Sequence, residues 1–282
     1  MAGAAPLDAP DPGVPVLPGP GPRPPVLSGS RPPVPAPAAV APESAIPDAA
    51  TARRNAVLDT LSPENLLLLL PSLRETVLSP GDVLYAPGVP VDRVHFPLTG
   101  VVSLLADLDD AEVVEVATVG REGVVGLPLF LGASAPTERA LVQVKGVALS
   151  MTADAFTVAV AVIDGPLHLT LRRYTQSVFT QLARNSACNR AHSVRQRAAR
   201  WLLSIADRMD GPTVDLTQDF LAQLLNVRRS SVNQVAKSFA DEGCIRYVRG
   251  TLTVLDRAQL QAGACDCYDV VRAAMAGAVA PA

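Results

Sequence analysis

No stretch of this 282-residue chain approaches the roughly 18 consecutive apolar residues that a membrane span needs. The longest leucine run, Leu66–Leu70, stops at Pro71. The amino terminus lacks the basic start of a secretory leader and carries prolines throughout. A cytoplasmic protein with no membrane partner is therefore expected. Histidine is scarce, and only His95 of His95, His168 and His192 falls among the strands read below. That excludes the clustered ligands of a cupin-type metalloenzyme. Cysteine is scarce too: Cys188, Cys244, Cys265 and Cys267 do not make a disulfide framework in a chain this long. Cys265 and Cys267 stand two apart, but no Cys or His near them in sequence completes a four-ligand zinc spacing. Ordinary packing is expected for them. No metal, cofactor or catalytic constellation is read, and the chain is not expected to be an enzyme.

A basic excess is also missing, since the formal net charge is -3. Charge is unevenly spread, however. Between Leu167 and Met209 lie Arg172, Arg173, Arg184, Arg190, Arg195, Arg197, Arg200 and Arg208, with Asp207 the only acid. The local field, not the net charge, decides whether a polyanion is attracted. The alternative reading of these arginines is a plain exposed helix surface.

Residues 1–52 read as a disordered Pro/Ala-rich tail. Residues 1–50 hold 15 of the 26 prolines, and proline removes donors and fixes φ, so no helix or ladder can run there. Asn55–Leu61 and Pro63–Leu70 read as short helices, the second capped by Ser62. The pattern then changes to short strands: Val83–Tyr85, Arg93–Phe96, Val101–Ala106, Glu112–Thr118, Ala140–Lys145 and Ala148–Met151. Turn signals such as Pro80-Gly81, Pro87-Gly88 and Gly100 separate them, which predicts an antiparallel roll or barrel over 53–165. Asp154–Val162 reads as a helix, and Gly165-Pro166 breaks it. A long helix follows over 166–193. Spacings of four and three pick out Leu167, Leu171, Tyr174, Val178, Gln181, Asn185, Cys188 and His192. That seam suits a dimerisation helix, with packing on its own domain as the alternative.

Residues 194–262 read as a winged helix-turn-helix. Val194–Met209 is amphipathic, and the segment LTQDFLAQLLNVRRSSVNQVAK (Leu216–Lys237) holds two short helices and a tight turn. Thr217 caps the first helix, and Asn226 suits a left-handed turn residue. Val232, Val235 and Phe239 face inward, and Gly243 ends the second helix. Cys244–Arg249 and Thr251–Leu255 form a hairpin at Arg249-Gly250. Arg228, Arg229, Ser230, Ser231, Asn233, Gln234 and Lys237 are the candidate DNA-contacting residues. Arg229 suits bidentate contact with guanine, and Asn233 or Gln234 suits adenine. Arg228, Ser231 and Lys237 suit phosphates. Residues 263–282 read as a C-terminal tail.

This order of parts, with the segments NRAHSVRQRAARWLL from Asn189 and RYVRGTLTVLD from Arg246, resembles the Crp/Fnr family of transcription regulators. The resemblance implies an α+β fold: an N-terminal antiparallel β-roll of cyclic-nucleotide-binding type, a long dimerisation helix and a C-terminal winged helix-turn-helix. It implies a homodimer on double-stranded DNA, with RNA polymerase and an unidentified small-molecule effector as further partners. In nucleotide-binding members a Gly-Glu pair precedes an Arg-Ser pair. Here the matching residues are Gly126-Leu127 and Arg139-Ala140, so Gly126 and Arg139 are the candidate effector residues. The adenine-contacting pair corresponds to Ala183-Arg184. Leucine cannot bond a ribose hydroxyl, and an unpaired buried hydroxyl costs about 1–3 kcal/mol, so cyclic AMP in the usual mode is not expected. The N-terminal iron–sulfur cysteines of the family's oxygen sensors are missing, because residues 1–187 contain no cysteine. The competing reading is a ligand-sensing or scaffold protein whose helix-turn-helix only packs.

Overall fold

The structure, a computed structural model, describes residues 46–108, 113–133, 135–163 and 165–280. Most of the proline-rich segment lies outside the described residues, as does Glu112. Order starts earlier than Arg53: Asp48 accepts the Thr51 N–H at 2.7 Å and caps α1 (Ala49–Ala52), whose Ala52 is buried. Two short helices follow, α2 (Ala56–Asp59) and α3 (Pro63–Leu69). Asn55 caps α2, and its Nδ2 donates to the carbonyls of Pro97 and Gly123, both at 2.9 Å. The cap thereby ties these helices to the strands.

Seven strands follow in chain order: β1 (Arg74–Leu78), β2 (Val83–Tyr85), β3 (Arg93–Pro97), β4 (Val101–Asp107), β5 (Val113–Val119), β6 (Arg139–Val144) and β7 (Gly146–Thr152). They make two antiparallel sheets, ordered β1-β7-β3 and β2-β6-β4-β5. Leu78, Tyr85, Val102, Val119, Val142 and Ala148 pack between the sheets. β1 is not legible in the sequence because its less exposed side carries Arg74 and Thr76 before Leu78. Thr76 is held inside by a 2.8 Å hydroxyl bond to Ser150 of β7.

After α4 (Leu127–Phe130) and α5 (Ala153–Val162), Pro166 opens the 26-residue helix α6 (Pro166–Ala191). The predicted seam of α6 is corrected here. Leu167, Leu171, Tyr174, Val178, Gln181, Asn185 and Cys188 are buried within their own chain, leaving Leu169, Arg172, Gln176, Phe179 and Ala183 outward. The periodicity is right, and these residues pack on their own chain, as the alternative reading had it. Asn185 donates to Val116 O at 2.7 Å and accepts from Arg200 at 2.8 Å.

α7 (Val194–Ala206) opens with a capping box between Ser193 and Gln196. β8 (Thr213–Asp215), α8 (Gln218–Leu224), α9 (Arg229–Asp241), β9 (Ile245–Val248) and β10 (Thr251–Val254) complete the winged module, with sheet order β8-β10-β9. The predicted tail is also corrected. It holds α11 (Cys267–Ala278), following α10 (Arg257–Ala262). Val271, Met275 and Ala278 of α11 are buried in the same core as Tyr174 and Val178 of α6, so their apolar surface is removed from water.

Three of the eight arginines, Arg197, Arg200 and Arg208, are buried while Arg172 and Arg190 are exposed, so neither reading covers the whole band. Arg195 bonds Ser238 and Glu242, each at 2.6 Å, and lies over the Phe239 ring. Arg197 donates to the Leu225 carbonyl, and Arg200 to Asn185. Arg208 reaches back to the roll, meeting Glu122 at 2.7 Å and Thr118 Oγ1 at 2.7 Å. It crosses Gly120 so closely that a Cβ there would lie 2.5 Å from Arg208 Cδ. Beside it, Trp201 Nε1 donates to buried Glu115, which also accepts from Ser103 and Gln143. The roll and the winged module thus share a polar junction.

Burial would push the Glu122 carboxyl up, but the Arg208 guanidinium and its hydrogen bonds hold it below the usual range. Glu122→Gln strips a buried charge of its partner. It should lower unfolding stability by about 3 kcal/mol in chemical denaturation. His95 sits in β3, bridged to Val125, and burial followed by the Arg93 charge lowers its pKa to about 4. Unfolded His95 takes up a proton below about 6.5 that the folded residue refuses until about 4. Stability from its neutral form is therefore present above that window and lost as pH falls through it. Between pH 7 and 4 wild type should lose on the order of 3 kcal/mol more than His95→Gln, measured by urea titration at each pH.

Candidate nucleic-acid interface

The helix-turn-helix is built by local rules. Thr217 Oγ1 accepts the Phe220 N–H at 3.2 Å, and Asp219 occupies the first turn of α8. Asn226 takes φ 47°, a left-handed value that asparagine tolerates, and Val227 N–H closes onto Ala222 O. Arg228 stands at the N-cap position of α9. Val232, Ala236 and Phe239 are buried against Leu221, Ala222 and Leu225, with Val235 packed beside them. That pins one face of α9 and leaves the other to water.

Arg228, Arg229, Ser230, Asn233, Gln234 and Lys237 are exposed, and Ser231 is half-buried. The structure brings these seven onto one end and one face of a single helix. Arg229 makes a 3.1 Å ion pair with Asp219, both side chains about two-thirds exposed. The pair holds the arginine over the first turn of α8 and is weak enough in water to exchange for another anion.

The wing adds cations that sequence reasoning did not single out. Arg249 (φ 50°) and Gly250 (φ 85°) form a two-residue turn with both φ positive, the geometry that matches strand twist. Tyr247 Oη donates to Leu216 O at 2.6 Å, and Leu216 N–H donates to Gly250 O at 2.7 Å. These bonds fix the hairpin beside the start of α8. Arg246 and Arg249 remain exposed. Period-two alternation along RYVRG was the signal that would have placed Arg246 outward.

The two effector candidates sit in different settings. Gly126 takes φ 112° at the head of α4, and a Cβ there would stand 3.0 Å from Val94 Cγ2. Close approach to β3 and a left-handed φ account for this glycine. Arg139 begins β6 and is bound to Asp107 at 2.6 Å, with only 14% of its side chain exposed. Leu127 packs toward the core, and Ala140 is buried. Neither supplies the hydroxyl or carboxylate that a ribose phosphate would need. A cavity of about 210 Å³ opens instead at the junction, lined by Arg121, Glu122, Arg208, Tyr268, Arg272 and Met275 among others.

The thiols of Cys188, Cys265 and Cys267 and the ring of His192 come together, all donor atoms lying within 4.8 Å of one another. Neither pair shows this in sequence, because the two halves lie 77 residues apart. The signal available was two ligand pairs, Cys188 with His192 and Cys265 with Cys267.

Residues 75–161 match the family model of the cyclic nucleotide-binding domain, and residues 196–262 match that of the Crp-like helix-turn-helix domain. A CRP-like cAMP-activated global transcriptional regulator of Mycobacterium tuberculosis (strain ATCC 25618 / H37Rv) is 25% identical over 215 residues. The match covers 73% of this chain and 95% of that protein. Among solved structures, FixK2 from Bradyrhizobium japonicum has a TM-score of 0.58 at 16% identity, covering 68% of this chain and 98% of its own. The c-di-GMP responsive global regulator CLP of Xanthomonas campestris has a TM-score of 0.54 at 16% identity, covering 69% and 100%. At such identities the structural likeness speaks to the fold.

Proposed function

The chain belongs to the Crp/Fnr family of transcription regulators, and from that premise we propose that it acts as a homodimer on a two-fold operator. The exposed polar face of α9 carries this reading. The buried face accounts for Val232, Val235, Ala236 and Phe239, but nothing in the packing requires Arg228, Arg229, Asn233, Gln234 and Lys237. A helix so displayed fits the major groove, its first residues toward base edges. Arg229 would leave Asp219 for guanine O6 and N7, Asn233 or Gln234 would read adenine, and Arg228, Ser231 and Lys237 would hold phosphates. Exposed Arg246 and Arg249 extend the phosphate contacts from the wing.

The second copy would pack on the outward stripe of α6, namely Leu169, Arg172, Gln176, Phe179 and Ala183. Phe179 is 62% exposed and Leu169 41%, and the helix spacing puts them on one side. Single exposed apolar residues are ordinary, but two on one helical stripe give a dimer seam its anchors. Half-site spacing then follows the two-fold axis.

The M. tuberculosis relative is described as cAMP-activated. Here Leu127 and Ala140 replace the polar ligands, and Arg139 is committed to Asp107. Their chemistry supports an effector other than cyclic AMP bound in the usual mode.

Selection from a random duplex library should yield a palindromic site. Arg229→Ala should then lose about 1–3 kcal/mol of discrimination at one base position per half-site, read by competition binding. Unchanged binding to every duplex would favour a helix-turn-helix that only packs. Phe179→Asp should convert the dimer to monomer in sedimentation velocity while leaving the circular dichroism spectrum intact.

A further inference from the structure

Cys188 lies in the last turn of α6, and His192 is its C-cap residue, turned into extended backbone at φ -109° and ψ 147°. Its N–H still bonds Cys188 O at 3.1 Å, so the two side chains, four residues apart, leave the helix end together. Cys265 and Cys267 flank Asp266 at the start of α11, in a turn closed by the Tyr268 N–H on Cys265 O at 3.1 Å. The packing of α11 on α6 brings the pairs together. Cys188 Sγ stands 3.5 Å from Cys265 Sγ, and Cys267 Sγ stands 3.7 Å from His192 Nδ1. All three cysteines are buried and free, whereas a quarter of the His192 side chain is exposed.

These separations discriminate between chemistries. A disulfide would require about 2.05 Å between sulfurs. An iron–sulfur cube binds each thiolate to a different iron and spreads the sulfurs well beyond the spacing seen here. Zinc bonds of about 2.3 Å to sulfur and 2.0–2.1 Å to nitrogen give tetrahedron edges of about 3.5–3.8 Å. Simple packing explains buried cysteines well. Packing alone does not call for a nitrogen donor beside three sulfurs, which His192 Nδ1 supplies 3.7 Å from Cys267 Sγ. The other ring nitrogen, Nε2, lies 3.9 Å from the Asp266 carboxylate, the kind of outer partner that orients a metal-bound histidine. Buried Arg197 and Arg200 of α7 place positive charge within electrostatic reach of Cys188, which offsets the negative sum of three thiolates around a divalent ion.

We propose that Cys188, His192, Cys265 and Cys267 form a closed Cys3His site for one zinc-class divalent ion. With four protein ligands and no open position, the ion is structural. It rivets α11 to the end of α6 and brackets residues 193–264, which contain the whole winged module. The ion therefore sets how that module leaves the long helix. This site stands on its own residues and holds whether or not the chain reads DNA.

The test uses the full chain without a polyhistidine tag, purified under reductant and assayed for metal by plasma mass spectrometry. The expected result is one zinc per chain, replaceable by cobalt(II) with thiolate charge-transfer bands and tetrahedral d–d absorption. Cys267→Ser and His192→Ala should weaken zinc retention against a competing chelator by more than about tenfold, and Asp266→Asn by about tenfold. Cys244→Ser is the control: this fourth cysteine is buried in the winged-module core, and its loss should leave zinc in place. If Cys267→Ser misfolds, the partly exposed His192→Ala carries the comparison. Reduced protein that holds no zinc and takes up no cobalt overturns the proposal. So does iron with acid-labile sulfide, a Cys188–Cys265 disulfide mapped from anaerobic cells, or zinc loss in Cys244→Ser equal to that in Cys267→Ser.

Discussion

A guanidinium buried between two modules has to be neutralised where it sits, and Arg208 is neutralised by Glu122. The desolvation cost of the pair is offset only in one geometry, so the pair specifies an arrangement more than it adds stability. Gly120 is part of that geometry, because any side chain there would displace the arginine. Around it, Trp201–Glu115, Arg200–Asn185 and Asn185–Val116 carry the same logic along the junction. These bonds run between elements, so the orientation of α7 against the roll follows from making them.

The same constraint explains the second half of α6. A helix that is apolar early and polar late looks like a dimer seam with a register-setting asparagine. Its polar residues are instead the α6 share of the junction, and its apolar residues are sheltered by the strands and by α11. The exposed stripe of α6 is rotated away from that seam. A change in the roll has a material route to the winged module through these bonds. Such a route becomes regulation only when a ligand favours one arrangement over the other.

Much of the fold was legible from short-range pattern. The strands other than β1, the caps at Ser62 and Thr217, the Asn226 turn and the Arg249-Gly250 wing follow from rules acting within a few residues. The outward face of α9 was legible for the same reason, since helical spacing alone separates Arg229, Asn233 and Lys237 from Val232 and Phe239. β1 escaped because its inward side is polar. α11 escaped because its amphipathic pattern follows a module that already looked complete.

What the sequence by itself determined is therefore the local chemistry: which residues form helices and strands, where they stop, and which side of each is apolar. Family membership rests on that order of parts. Only the tertiary structure decided what each apolar or charged face meets. It turned the α6 seam inward and buried Arg197, Arg200 and Arg208. It closed Arg139 onto Asp107 and carried Cys265 and Cys267 to Cys188 and His192. The physical reason is range. Backbone hydrogen bonding and side-chain period act over a few residues, whereas burial and charge pairing act between any groups that packing brings within a few ångströms.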